Sequence, residues 1–302
     1  MQLIYRKLMT LGAGLEYAVV KTAGAESLCL QGIVAQQKKV ERAVSCACQL
    51  GVVDPDAMPQ WLSLSQQGPI VSALFTHQDA GLLSDFLSRM PKVWHYAAGK
   101  NAGRALSALQ EGTLSQTLMD KALKRQMQFM ERIADYVGNR PHFDGDYLAL
   151  DAIAARHDHF TMLRPVLRYG MLRHDRLLIT RQGQALLPPS PYFGPGDVCE
   201  DFALLECESA GLYPLFCAGF IDGYFKGRVP PSFWVTFAMQ SALYAMWRLG
   251  RRVREHKDSL QRMQLKFDRI RADFADFKKP VPGWYRSEQV REVRAVCQRK
   301  GL

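Results

Sequence analysis

The sequence lacks the features that mark a membrane protein, a secreted protein or a structural zinc protein. Its 302 residues contain no run of eighteen apolar residues, so no membrane span is expected. The seven cysteines are odd in number and form no C-x-x-C pair, which argues against a disulfide framework and a zinc site. The N-terminal MQLIYRKLMTLGAG has no apolar stretch followed by a small-residue cleavage site, so no secretory signal is expected. We therefore expect a cytoplasmic protein with reduced thiols and no bound metal.

Acidic residues are few relative to basic ones. The chain has 39 Lys and Arg against 29 Asp and Glu, a net charge of +10, and much of the excess lies in 248–257 and 290–300. A basic surface attracts nucleic acid, acidic lipid or an acidic protein, although solvated helix faces give the same pattern. Because no aromatic-interleaved basic motif or zinc-finger spacing accompanies the charge, the sequence does not indicate a nucleic-acid partner.

Hydrophobic periodicity divides the chain into a small mixed part and a larger helical part. Strands are predicted over 17–21, 27–31, 60–64 and 69–76, with a helix over 34–50 among them. Helices are predicted over 79–90, 92–110, 114–138, 146–157, 159–164, 199–211, 213–226, 231–248 and about 250–277. A strand-rich insert at 166–192 interrupts them. The sequence therefore predicts an α+β protein with a small N-terminal lobe at 1–77 and a large helical C-terminal lobe at 78–302.

Several segments resemble bacterial-type aminoglycoside phosphotransferases. The most specific are GPGDVCEDFALL (194–205), GFIDGYFKGRVPPSFW (219–234) and KKPVPGWY (278–285). YAAGKNAGRALSAL (96–109) and LRPVLRYGMLRHDRLLIT (163–180) resemble the family's helix and catalytic-loop segments. The chain is thus similar to a degenerate member of the aminoglycoside phosphotransferase and choline-kinase-like family. This resemblance implies a bilobal protein-kinase-like fold that holds ATP and Mg²⁺ for phosphoryl transfer.

The resemblance also identifies the positions at which catalytic groups are replaced. The His-Gly-Asp of the family's catalytic loop corresponds to Tyr169, Gly170 and Met171. The Asn that would hold magnesium corresponds to Arg176, and the metal-binding Asp corresponds to Pro189. A methionine cannot accept a proton, and magnesium requires hard oxygen ligands that arginine and proline side chains lack. The resemblance therefore implies that no catalytic site is intact, with Asp175 and Asp197 as the fallback candidates.

Nucleotide-binding positions in the first lobe match the family only faintly. Gly12 and Gly14 correspond to a loop that would cover a nucleotide, although a plain hairpin turn explains them equally well. The small-lobe basic residue corresponds to Gln31, within about three residues, and its helix Glu partner to Glu41 or Val40.

Three hypotheses about function follow. The first is a pseudokinase that binds or regulates an unidentified protein partner and needs no cofactor. The second is an active ATP- and Mg²⁺-dependent small-molecule phosphotransferase that uses rewired residues such as Asp175 or Asp197. The third is a metal-independent module that binds a phosphorylated small molecule, because guanidinium groups suit phosphate. The candidate anion-binding residues crowd the catalytic-loop segment: Arg164, Arg168, Arg173 and Arg176.

Overall fold

A five-stranded antiparallel sheet forms the N-terminal lobe. The computed structural model describes residues 4–12, 14–22, 25–51, 53–111, 115–158 and 165–302. The strands follow the order β1-β2-β3-β5-β4 across the sheet. They are β1 (Ile4–Gly12), β2 (Leu15–Thr22), β3 (Ala25–Ile33), β4 (Trp61–Gln67) and β5 (Ile70–Thr76).

The two faces of this sheet differ in polarity. Side chains alternate across a strand, so Tyr17 and its register partner Leu30 share the inner face, where both are fully buried. Glu16 and Gln31 are the adjacent register pair and share the outer face. Helix α1 (Gln37–Leu50) packs against β3 and β5 and contributes Cys46 to the buried core.

Ten helices of the described chain follow in the C-terminal lobe. They are α2 (Leu83–Arg89), α3 (Lys92–Gln110), α4 (Gln116–Gly138), α5 (Asp146–Ala154), α6 (Val198–Leu205), α7 (Pro214–Tyr224), α8 (Pro231–Leu243), α9 (Leu249–Arg254), α10 (Leu260–Asp273) and α11 (Glu288–Lys300). Short π-helical segments at Glu206–Ala210 and Tyr244–Arg248 extend α6 and α8.

Two small antiparallel sheets frame the candidate site. Four of their five strands lie between α5 and α6 in the sequence, and the fifth precedes α2. One joins β6, β8 and β9 in that order, and the other pairs β7 with β10. The strands are β6 (Ala80–Leu82), β7 (Pro165–Arg168), β8 (Leu178–Thr180), β9 (Ala185–Leu186) and β10 (Gly194–Asp197). Three of them, β7 to β9, form the strand-rich insert that the sequence predicts.

The predicted mixed α+β architecture is observed, but several elements differ. Strands β1 and β10 and helix α11 have no counterpart among the predicted elements. The segment predicted as a helix at 79–90 begins with strand β6. The helix predicted over about 250–277 is divided at 255–259, because buried Asp258 binds Arg252 and Arg262 and Ser259 caps α10. The helix predicted at 159–164 lies outside the described residues. The predicted lobe boundary at 77/78 lies between β5 and β6, and the division into two domains stays a prediction.

One apolar core runs through both lobes. Leu15 and Tyr17 from the small lobe belong to the same buried cluster as Tyr169, Met171 and Leu187 from the insert. Buried side chains therefore fill the contact surface between the lobes beside residues 169–171.

Candidate functional site

The former catalytic loop follows β7 and is held by a buried carboxylate. Asp201 Oδ2 accepts the Tyr169 N–H at 2.8 Å, and its Oδ1 accepts the Gly170 N–H at 2.6 Å. Burial raises the pKa of Asp201 to about 6, although Arg168 and the two N–H groups favour its charged form. Asp201 thus stabilises the loop by accepting a backbone hydrogen bond on each of its two oxygens.

The residues at the His and Asp positions of the loop are buried and apolar in character. Tyr169 is fully buried, and its hydroxyl donates to the Pro188 carbonyl at 2.7 Å. Met171 is 2% exposed and lines the floor of the cleft between the lobes. A thioether accepts hydrogen bonds only weakly and carries no proton at neutral pH. The predicted position of the proton acceptor therefore provides none.

The residues at the two predicted metal-ligand positions contact the small lobe instead. Arg176 Nη1 donates to the Thr10 carbonyl of β1, and the Tyr17 hydroxyl of β2 donates to the Pro189 carbonyl. A third hydrogen bond, from the Tyr192 hydroxyl to the Leu11 carbonyl, measures 3.2 Å. These contacts join the first hairpin to the catalytic-loop insert at the positions where magnesium ligands are expected.

The carboxylate of Asp175, a fallback catalytic residue, binds the guanidinium group of Arg173. Its two oxygens accept hydrogen bonds from Arg173 at 2.9 and 2.8 Å, and Arg176 Nε lies 3.9 Å away. Burial alone would raise the pKa of Asp175, but the charges of Arg173 and Arg176 outweigh it and lower the pKa. A carboxylate that is weakly basic and already bidentate is a poor proton acceptor.

Asp197, the other fallback residue, caps α6. Its Oδ1 accepts the Cys199 N–H at 2.8 Å, while its buried Oδ2 has no hydrogen-bond partner in the described part of the chain. Burial raises the pKa of Asp197 to about 7, and the nearby charge of Glu200 adds to the shift. Asp197 is not among the residues that line the cleft.

The predicted nucleotide-binding residues of the small lobe do not come together. Gln31 lies on the outer sheet face, where its amide contacts Tyr5 and Glu16, both at 2.9 Å. Glu41 is exposed on α1 and accepts from Gln37 at 2.8 Å, so it does not pair with Gln31. Gln31 and Glu41 are therefore not paired, and Val40, the other candidate position on α1, is buried in the apolar core.

Gly12 and Gly14 lie in the hairpin between β1 and β2. Both have positive φ, of 87° and 76°, a backbone conformation that favours glycine. No atom lies within 4 Å of a Cβ built on either residue, so neither is required for close packing. A hairpin turn accounts for both glycines.

A cavity of about 280 Å³ lies beside the former catalytic loop. Leu11 of β1, Met171 and Tyr192 form one wall, and α6, α8 and α9 form the others. Among the predicted anion-binding residues, Arg168, Arg173 and Arg176 all line it, whereas Arg164 lies outside the described residues. Its charged lining in the described chain is six arginines and two glutamates: Arg132, Arg168, Arg173, Arg176, Arg248, Arg252, Glu200 and Glu208.

Sequence reasoning missed three of these arginines. Arg248 and Arg252 belong to the basic run at 248–257, which also reads as a solvated helix face, and Arg132 lies on α4. The available signal was the concentration of arginine in that run. Only the tertiary fold brings it beside the loop at 169–176.

The carboxylates that line the cleft are already paired with basic side chains. No group of three His, Cys, Asp or Glu side chains in the described ranges is arranged to hold a metal. The cleft carboxylates Glu200 and Glu208 are engaged by arginine and lysine, with Glu208 lying 2.7 Å from Lys266. Magnesium binding through ATP would need oxygen ligands that the positions of Arg176 and Pro189 lack.

Comparisons with known proteins identify the fold. No protein-family model matches the chain, and no curated protein matches its sequence. A choline/ethanolamine kinase family protein from Mesorhizobium loti superposes with a TM-score of 0.62 at 15% identity, covering 98% of this chain and 92% of that one. The aminoglycoside phosphotransferase APH(4)-Ia gives 0.63 at 13% identity, with 89% and 92% of the two chains covered. This chain has their kinase-like fold.

A third kinase agrees with these two. The choline kinase LicA from Streptococcus pneumoniae gives a TM-score of 0.55 at 10% identity, with 89% of this chain and 92% of that chain covered. The predicted bilobal kinase-like fold, with a small mixed lobe and a large helical lobe, is thus confirmed. No helix in the described ranges is both long and apolar enough to cross a membrane.

Proposed function

We propose that this chain is a pseudokinase: a binding or regulatory protein on the kinase-like fold that does not transfer phosphate from Mg-ATP. The observation that carries the proposal is the use of Arg176 and Pro189 as contacts between the lobes. In a kinase, side chains at these positions hold the metal ions that bridge the ATP phosphates.

Loss of the metal ligands has a clear electrostatic consequence. Mg²⁺ is a hard cation that needs oxygen ligands in near-octahedral geometry. The guanidinium of Arg176 repels a divalent cation, and the Pro189 ring offers no donor. Entry of a nucleotide between the lobes would also break the hydrogen bonds from Arg176 to Thr10 and from Tyr17 to Pro189.

The groups that could replace the proton acceptor are poorly suited to the task. Met171 has no basic atom, and Asp175 is held by Arg173 with a lowered pKa. Asp197 has a raised pKa but is buried at the start of α6 and does not line the cleft. An active phosphotransferase that uses Asp175 or Asp197 is therefore the less favoured alternative.

The test measures nucleotide binding and transfer separately. Mg-ATP at a hundredfold excess over its Kd would add about 2.7 kcal/mol to the free energy of unfolding. We expect no Mg-ATP-dependent rise in Tm and no transfer of the γ-phosphate to a panel of amino alcohols and amino sugars, with a solved choline kinase as the positive control. A Tm rise that EDTA abolishes, together with transfer that Asp197→Ala removes, would overturn the proposal.

A second candidate function is metal-independent binding of an anion. It is favoured by the excess of arginine around the cleft. Guanidinium groups pair with phosphate through parallel hydrogen bonds and need no metal to do so. Such a ligand would be a phosphorylated small molecule, and an unidentified protein remains the other partner class that we propose.

A further inference from the structure

The cleft is basic, which sets it apart from a pocket for a cationic small molecule. Its lining combines the six arginines with two glutamates and also includes four aliphatic or thioether side chains: Leu11, Met171, Leu204 and Leu243. Choline and amino sugars are cations at neutral pH, so this lining repels them. An anion with a short apolar portion is complementary to both parts of the cavity.

Carboxylates of the protein lie within 4 Å of five of the six arginines. Arg132 and Arg168 lie 3.5 and 3.9 Å from Glu200, whereas Arg173 and Arg252 are held by direct hydrogen bonds. Arg173 is bidentate to Asp175 and lies 3.8 Å from Glu208. Arg252 is bound by Asp258, with Nε at 2.7 Å from Oδ2. These two arginines support the walls of the cleft and have little capacity left for a ligand.

Arg248 and Arg176 retain capacity to bind an anion. Arg248 is exposed at the end of the π-helical segment and makes no hydrogen bond or ion pair with the described residues. Arg176 donates to the neutral Thr10 carbonyl, and its nearest carboxylate oxygen, on Asp175, is 3.9 Å from Nε. Arg168 also lines the cavity, where its Nη2 donates to the Tyr192 carbonyl at 3.2 Å. Its buried Nε lies 3.9 Å from Glu200 and makes no hydrogen bond within the described ranges.

The guanidinium groups of Arg173, Arg176 and Arg248 line the cavity together with Tyr192. Burial raises the pKa of the Tyr192 hydroxyl, while the charges of Arg176, Arg248 and Arg173 oppose the rise. All three arginines therefore lie close enough to Tyr192 for their fields to act on it. Burial also lowers the pKa of Arg176, although the charge of Asp175 opposes this shift.

We infer that the cleft binds a small organic phosphate without a metal ion, anchored by Arg248 and Arg176 with Arg168 beside them. This inference rests on the proposed absence of Mg-nucleotide chemistry. The volume of about 280 Å³ is at the lower end for small-molecule sites and favours a compact ester. The apolar wall of Leu11, Met171 and Leu243 favours an ester over free phosphate.

The experiment titrates the protein with phenyl phosphate and, separately, with inorganic phosphate, in EDTA and by calorimetry. We expect phenyl phosphate to bind more tightly than inorganic phosphate, and choline not to bind. Arg248→Ala should weaken binding about tenfold or more, and Arg248→Lys should restore part of it, because the charge returns without the guanidinium fork. The matched control is Arg291→Ala, which removes an exposed arginine of α11 outside the cleft and should leave Kd unchanged.

Two results would overturn the inference. One is the absence of binding by phenyl phosphate at millimolar concentration in the wild-type protein. The other is an equal loss of affinity in Arg248→Ala and Arg291→Ala, which would mean that the anion responds only to net charge. Failure of the proposed function would give a different result from failure of this inference. If the chain were an active kinase, binding of ATP would require Mg²⁺, and transfer of its γ-phosphate would be detected.

Discussion

At the scale of single residues, two buried aspartates at the start of α6 divide the work of holding the site. Asp201 uses both oxygens on the backbone of the former catalytic loop. Asp197 uses one oxygen as a helix cap and leaves the other buried without a partner in the described chain. Their pKa values therefore bear on stability.

The raised pKa of Asp197 predicts a loss of stability as pH rises. An unfolded aspartate titrates near 3.9, whereas the folded-state value is about 7. Between these values the folded state holds more protons, so the free energy of unfolding falls with increasing pH and levels off above about 7. In Asp197→Asn the amide can still cap the helix but does not titrate. The free energy of unfolding of this variant, measured relative to that of the wild type, should therefore increase by about 1–2 kcal/mol as the pH rises from 4 to 8, which corresponds to a few degrees in Tm.

Thermal unfolding of both proteins at several pH values checks this. Asp151→Asn, on the exposed face of α5, is the control, and its Tm difference from wild type should not change with pH. A constant difference for Asp197→Asn as well would mean that the buried carboxyl does not titrate differently in the two states.

At the scale of elements, α3 and α7 cross in close contact, and the end of α3 is hydrogen-bonded to β7, the strand that precedes the loop at 169–176. Gly99 and Gly103 on α3 face Gly219 and Gly223 on α7, and a Cβ built on any of the four would lie 2.1 Å from a backbone carbonyl oxygen of the other helix. The helix backbones are therefore in direct contact. At the end of α3, Gln110 donates to the Leu167 carbonyl of β7 at 2.9 Å, which connects this crossing to the loop.

A methyl group at this crossing should be destabilising. Gly103→Ala improves helix propensity by about 1 kcal/mol, but its Cβ would meet the Phe220 carbonyl and force the helices apart. We expect a net loss of about 1–3 kcal/mol in urea denaturation. Gly138→Ala, at the end of α4 with open space around it, should be neutral or slightly stabilising. Equal effects of the two substitutions would contradict the close packing.

The sequence predicts elements well where their periodicity is local and strong. The strand at 69–76 and the helix at 92–110 match β5 and α3 closely. The prediction of a single helix over about 250–277 misses the break at 255–259. This break depends on the buried side chain of Asp258, which binds Arg252 and Arg262. Hydrophobic spacing carries no information about such a pairing.

In the candidate site too, some positions can be identified from the sequence, whereas their contacts depend on the tertiary structure. The resemblance to the family, read along the sequence, assigns Met171, Arg176 and Pro189 to the catalytic and metal-binding positions. The contacts from Arg176 to Thr10 and from Tyr17 to Pro189 span more than 160 residues, so no local pattern predicts them. Arg248 joins the cleft for the same reason, since tertiary packing alone brings its helix beside the loop.

At the scale of the whole molecule, the lobes share one core and are joined by hydrogen bonds from Tyr17 and Arg176. Tyr17 is fully buried between them and lies in the same cluster as Tyr169 and Met171. A kinase that admits nucleotide must open at this place. In this chain, opening would expose apolar surface and break the contacts of Tyr17 and Arg176.

Hydrogen exchange tests this closed arrangement directly. Because the core is continuous, amides of β2 and β3 should open with the same free energy as those of α6 and α7 in the wild-type protein. Removing both interlobe donors in Tyr17→Phe with Arg176→Ala costs about 1 kcal/mol per hydrogen bond, so the small lobe should then exchange about tenfold faster or more while α7 is unchanged. Tyr5→Phe, which removes a hydroxyl that binds Glu16 on the outer face of the same sheet, is the matched control and should not separate the lobes. Independent opening of the small lobe in the wild-type protein would contradict the closed cleft and, with it, the structural basis for excluding a nucleotide.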